Sequence, residues 1–208
     1  EHVLSLLAEA LERCSDINSV DLVCAVLRCI QGQDPVSPRA RELLRSLAQY
    51  LQLVGELTPP FRVHLGCLEH VATPTPEVKA LLERLVVLLE QMPREESSAS
   101  MRASELNNVL AMFDHLPTDM PEAKRYVVAV SERLSTMFPS SNGGNLSHGI
   151  ARLKSFSDQT PGIPLILRKL AGIIPQVDGF IAIRFSRSMS GLQNMSSDCP
   201  EVLAVLEA

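Results

Sequence analysis

The chain has 208 residues, 46% apolar, 21% charged and only 4% aromatic, with no Trp, and 19 Lys plus Arg stand against 24 Asp plus Glu. Such a composition supports a packed core, and no apolar run reaches the roughly 18 to 20 residues of a membrane span, so disorder of most of the chain and a membrane-spanning segment are excluded and the chain is expected to be soluble. A net charge of −5 exerts no general pull on nucleic acid or an anionic membrane, so any such contact has to be local.

Taken in chain order, the apolar residues fall into a repeating scheme. Val3 to Leu11 reads as the second helix of a unit already under way. Five prolines then open similar segments: Pro38, Pro76, Pro121, Pro161 and Pro200, spaced 38, 45, 40 and 39 residues apart. The fifth, sixth and ninth residues after them are Leu43, Leu44, Leu47; Leu81, Leu82, Leu85; Tyr126, Val127, Val130; Ile166, Leu167, Leu170; and Val205 with Leu206. Those steps share one helical face. Pro at the first helical position loses only an N–H that was unpaired anyway, and Glu after it in three copies meets the positive end of the helix dipole.

A second helix precedes each proline, with the first copy counted from Pro35. Eleven residues back stand Cys24, Leu65, Leu110, Ile150 and Met189; eight back, Leu27, Leu68, Phe113, Leu153 and Leu192; five back, Ile30, Val71, Leu116, Phe156 and Met195. Ten back the residue is always small (Ala25, Gly66, Ala111, Ala151, Ser190), and seven back always polar (Arg28, Glu69, Asp114, Lys154, Gln193). The pattern predicts an all-α fold: a right-handed α-solenoid of about five αα-hairpins of roughly 40 residues, armadillo/HEAT-like. The units run over about 21–60, 61–103, 104–144, 145–183 and 184–208, within one continuous solenoid fragment over 1–208. Neither end shows the polar outer face of a capping repeat, so a longer parent protein is expected. The polar segments 91–104 and 139–145 are read as loops between hairpins.

Few residues suggest chemistry. His64-x-x-Cys67-x-x-His70 carries metal-ligand residue types without an evident fourth ligand, which favours packing or a rim position. His2, His115 and His148 have no partner at triad spacing. Asn142-Gly-Gly-Asn145 follows no strand and precedes no Lys-Ser or Lys-Thr, so it is a connector and not a phosphate loop. The five Cys, irregularly spaced, read as small core residues in a reducing compartment. No catalytic residue, cofactor, metal or small-molecule substrate is expected.

The cations say more. There are 15 Arg to 4 Lys, and Arg is the better bidentate partner for phosphate. Arg45 and Arg168 stand seven residues after their prolines, Arg84 and Lys169 eight. In a solenoid such columns become a stripe able to follow a phosphate backbone, interrupted in the third unit by Val128 and Ala129. Arg184 and Arg187 flank Phe185. Residues 1–144 carry 13 basic and 19 acidic groups, residues 145–208 carry 6 and 5, so the acidity belongs to the first part. Arg45, Arg84, Arg168, Lys169, Arg184 and Arg187 are the candidate RNA or partner contacts.

The unit Phe185-Ser-Arg-Ser-Met-Ser-Gly-Leu-Gln-Asn-Met-Ser-Ser-Asp-Cys-Pro-Glu-Val-Leu-Ala-Val-Leu-Glu-Ala, and less sharply residues 61–90, resembles the helical-hairpin repeats of organellar RNA-metabolism proteins. These are the octotricopeptide and heptatricopeptide classes and the armadillo-like subunits of kinetoplastid mitochondrial RNA-editing complexes. The resemblance implies an organelle-targeted (mitochondrial), non-enzymatic α-solenoid that binds single-stranded RNA, or other protein subunits of an RNA-processing or RNA-editing assembly. The alternative expectation is an armadillo/HEAT adaptor that holds a peptide or partner helix and has no nucleic-acid role. A hydrolase built on Cys67 and His70 is the remaining class.

Overall fold

A computed structural model describes residues 36–53, 73–91, 112–133, 143–176 and 189–208, with isolated positions at 6, 8–10, 13, 26, 29–30, 34 and 110. Every regular element among the described residues is helical: α1 (Pro38–Leu53), α2 (Pro76–Gln91), α3 (Pro121–Arg133), α4 (Gly143–Ala151), α5 (Ile163–Ile173) and α6 (Pro200–Glu207), with short 3-10 turns between them. The chain divides into two compact units, Glu1–Met92 with His115–Tyr126 and Pro93–Asp114 with Val127–Ala208, the division falling inside α3.

Four of the five prolines begin their helices as expected. At the first two, the side chain before the proline does the capping. Ser37 Oγ accepts the Ala40 N–H at 3.2 Å and Thr75 Oγ1 accepts the Val78 N–H at 3.3 Å, each satisfying a donor that the first turn leaves without a partner. The backbone repeats as well. The carbonyl before the proline accepts the N–H of the third residue after it: Arg41 to Ser37 (3.1 Å), Lys79 to Thr75 (3.0 Å), Lys124 to Met120 (3.1 Å) and Leu203 to Cys199 (3.0 Å). The turn leading in is closed by Ser37 to Asp34, Met120 to Pro117, Thr160 to Ser157 (3.0 Å each) and Cys199 to Ser196 (3.1 Å).

The fourth helix starts differently. At Pro161 the following residue is Gly162, whose φ of 91° and ψ of −28° place it in the left-handed region, where Gly pays no Cβ penalty. The helix therefore opens two residues later, at Ile163. Pro164 has no N–H for the Thr160 carbonyl, which accepts from Ile163 instead at 3.1 Å.

The apolar columns form the cores of the units. In the first unit α1 packs on α2, and Leu43, Leu44 and Leu47 are fully buried, as are Leu81, Leu82 and Leu85. In the second unit α5 packs on α6, with Ile166, Leu167 and Leu170 fully buried. Each such side chain contributes about 1.5 to 3 kcal/mol relative to exposure. The helices that precede the prolines tighten into 3-10 turns at matching places, Met112–Asp114, Arg152–Ser155 and Ser190–Leu192. There Phe113 meets Phe156 edge to face, ring centroids 5.4 Å apart. A Cβ on Gly191 would sit 1.9 Å from the Ile150 carbonyl oxygen, so backbone contact leaves room only for Gly at this position.

One loop expectation is corrected. α4 begins at Gly143, so residues 143–145 of the expected connector 139–145 are helical. Two glycines cost about 1 kcal/mol each relative to Ala, but Ile150 at the far end of the helix and Leu153 in the 3-10 turn after it are fully buried, and packing of that kind outweighs propensity.

Candidate functional site: charged seams between helices

The cations of the predicted stripe are bonded to the neighbouring helix within their own unit. Glu77, the first residue after Pro76, is 5% exposed and gathers two arginines of α1. Arg41 grips it with both ends of its guanidinium, Nε to Oε2 at 3.0 Å and a terminal nitrogen to Oε1 at 3.2 Å, and Arg45 reaches Oε1 at 2.7 Å. Such charge-assisted bonds favour the carboxylate form. The Arg41 hydrogen bond is the main reason the Glu77 carboxyl is held down at about 2, against the opposing effect of its own burial.

The same geometry recurs. Lys79 Nζ lies 3.1 Å from Glu122 Oε1, and a terminal nitrogen of Arg168 lies 2.7 Å from Glu201 Oε1. Glu122 is held below the usual carboxylate range first by its own backbone N–H and then by Lys79. Glu201 is held down first by Arg168. In each case the acceptor is the Glu directly after a proline, and the donor is the third or seventh residue after the preceding proline. The seam between α3 and α5 keeps the contact without the charges. The seventh residue is Val128, the partner position is Gly162, and a Cβ on Gly162 would approach Val128 Cα to 3.0 Å and the Val127 carbonyl oxygen to 3.1 Å.

The eighth-position cations act on helix ends. Arg84 Nε donates to the Leu51 carbonyl at 2.5 Å and a terminal nitrogen to Gln52 at 3.3 Å. Lys169 Nζ donates to the carbonyls of Ser131 (2.6 Å) and Glu132 (3.2 Å). Both place positive charge on the last turn of a helix, where carbonyls lack partners and the dipole is negative. Partial burial pushes the Lys169 ammonium below its usual value. Between the preceding helices, Arg152 pairs with Asp114, and Lys154 stands 3.6 Å from the same carboxylate. At the turns, the Ser196 N–H donates to Asp158 Oδ1 at 3.2 Å.

Of the six candidate contacts, the structure thus places Arg45, Arg84, Arg168 and Lys169 in seams between helices. Arg184 and Arg187 lie outside the described residues, as do His64, Cys67 and His70. Sequence reading missed Glu77, Glu122, Glu201 and Asp114 as acceptors. The signal was present: the Pro-Glu column faces a column of cations one repeat earlier. Among the described residues no group of three or more His, Cys, Asp or Glu side chains could hold a metal, and no helix is long and apolar enough to cross a membrane. No family model, curated protein or solved structure matches the chain.

Proposed function

We propose that the chain is a non-enzymatic helical-repeat scaffold: a right-handed α-solenoid of about five αα-hairpins of the armadillo/HEAT kind, which works by holding protein partners. The observation that carries this reading is the recurring seam. A turn geometry and a set of buried columns recur at successive prolines, and a Glu meets a cation of the helix before at three of the four described junctions, as in an arrangement where each repeat is stabilised by its neighbours alone. Such a frame presents long surfaces and devotes its charged groups to its own seams. The test is affinity purification of the tagged chain from its native source with nuclease treatment. A stoichiometric protein partner retained after nuclease is expected; loss of every partner on nuclease treatment would overturn the adaptor form.

A second reading is favoured by the exposure of two arginines. Arg45 and Arg168 remain 58% and 70% exposed while paired, and a guanidinium has five donors. In this reading the scaffold is a subunit of a mitochondrial RNA-processing or RNA-editing assembly and touches single-stranded RNA through these side chains, as the resemblance implies. Filter binding of single-stranded RNA at two salt concentrations tests it. Binding that weakens with salt and falls on Arg45→Ala with Arg168→Ala is expected; binding without a salt slope refutes it.

A further inference from the structure

Five hydroxyl residues of the chain stand directly before a proline: Ser37, Thr58, Thr73, Thr75 and Thr160. Ser37 differs from the others in its surroundings. Its stretch reads Pro35-Val36-Ser37-Pro38-Arg39-Ala40-Arg41, with a second proline two residues before the hydroxyl and cations two and four residues after it. At those two later places Thr58 has Pro60 and Arg62, Thr73 has Thr75 and Glu77, Thr75 has Glu77 and Lys79, and Thr160 has Gly162 and Pro164. Ser37 alone has a cation at both. The structure adds a difference in access. Ser37 is half-buried, and Asp34, Val36 and Pro38 around it are exposed, Val36 to 59%. Thr75, which caps α2 as Ser37 caps α1, is only 8% exposed and is followed by buried Glu77.

We propose that Ser37 is a phosphorylation site for a proline-directed serine/threonine kinase, and that the phosphate tightens the start of α1. An ordinary residue after the hydroxyl brings an N–H that needs an acceptor, whereas Pro38 brings none. A kinase cleft without an acceptor at that place therefore admits proline and rejects residues whose donor would be buried unpaired. Pro35 offers a second apolar ring ahead of the hydroxyl, and Arg39 and Arg41 offer charge to an acidic surface beside the cleft. In the transfer, Ser37 Oγ attacks the γ-phosphorus of magnesium-bound ATP. The Oγ–P bond forms as the bond from that phosphorus to the oxygen bridging it to the β-phosphate breaks; the hydroxyl proton passes to the kinase's catalytic aspartate and ADP leaves. The product carries nearly two negative charges beside the first-turn N–H groups and the positive end of the α1 dipole. Arg41 lies one turn further on and is 41% exposed; its five donors let it meet the phosphate and keep Glu77.

The folded protein, incubated with a purified proline-directed kinase and magnesium ATP and mapped by tandem mass spectrometry, tests the site. One phosphate per chain, on Ser37, is expected. It disappears in Ser37→Asn, which keeps a capping side chain, and in Pro38→Ala, and it is unchanged in Thr75→Asn. Phosphate chiefly on one of the four threonines, no incorporation, or incorporation that survives Pro38→Ala overturns the site. The fully phosphorylated protein is then melted beside the untreated one. A midpoint about 2 to 4 °C higher is expected, smaller in Arg41→Gln and reversed by phosphatase. An equal or lower midpoint overturns the tightening. None of these outcomes bears on the repeat reading, which the seam contacts carry independently of Ser37.

Discussion

Replacing Glu77 by Gln separates charge from shape at the best-buried seam. The side chain keeps its volume and one carbonyl acceptor, but Arg41 and Arg45 lose their anionic partner. A carboxyl held at about 2 in place of the usual 4.5, at about 1.4 kcal/mol per tenfold change in proton affinity, sets a ceiling of about 3 kcal/mol. The arginines are 41% and 58% exposed and recover water when released, so screening lowers the expected loss at pH 7 to about 2 kcal/mol. The sign follows from the depressed value. The contribution is present above the unfolded carboxyl's pH of about 4.5 and fades as pH falls towards 2, because protonation then occurs in the folded state too. Urea unfolding followed by circular dichroism, repeated from pH 7 to pH 2, should show the two proteins separated at neutral pH and converging in acid. A gap that stays constant across that range would mean the variant disturbs packing instead of charge, and no gap at pH 7 would refute the seam as a source of stability.

The other expectations concern single contacts. Arg168→Glu should lower the urea midpoint, and adding Glu201→Arg should bring it back towards the parent value, by the small amount expected for an exposed pair; failure of the exchange would show the pairing to be incidental. Gly191→Ala drives a methyl group into the Ile150 carbonyl, with a loss of about 3 kcal/mol or more in urea midpoint analysis. Gly162→Ala combines left-handed backbone strain with a tight but adjustable approach to α3, about 2 kcal/mol in total. If the Gly162 variant proved the more damaging, overlap at Gly191 would not be the dominant cost.

The helical character, four helix starts and the buried faces were legible in the prolines and columns. Leu43, Leu81, Tyr126 and Ile166 are fully buried because helical periodicity of apolar residues reports the buried face directly. The departures have local causes that periodicity does not encode. Gly162 delays α5 because a left-handed residue depends on φ, and Gly143 opens α4 because buried Ile150 and Leu153 outweigh the two glycines. The charged columns were visible, but their partners were not. Glu77 and Glu201 read as helix-dipole carboxylates when each helix is considered alone. Their arginines stand more than thirty residues earlier, Arg45 to Glu77 and Arg168 to Glu201, a separation that only packing closes. The column of arginines read as a phosphate-binding stripe, and the structure adds that each described member has a carboxylate or carbonyl on the adjacent helix.

The acceptor carboxylates are not equally sheltered: Glu77 is 5% exposed, Glu122 11% and Glu201 19%. Mobile ions screen accessible charge pairs far more than secluded ones. Raising the ionic strength should therefore loosen the α5–α6 junction first and the α2–α3 junction next, and leave α1 on α2 nearly untouched, while the α3–α5 junction, which has no ion pair at this position, stays indifferent. Salt would then act along this chain as a graded solvent, softening some junctions while others stay closed.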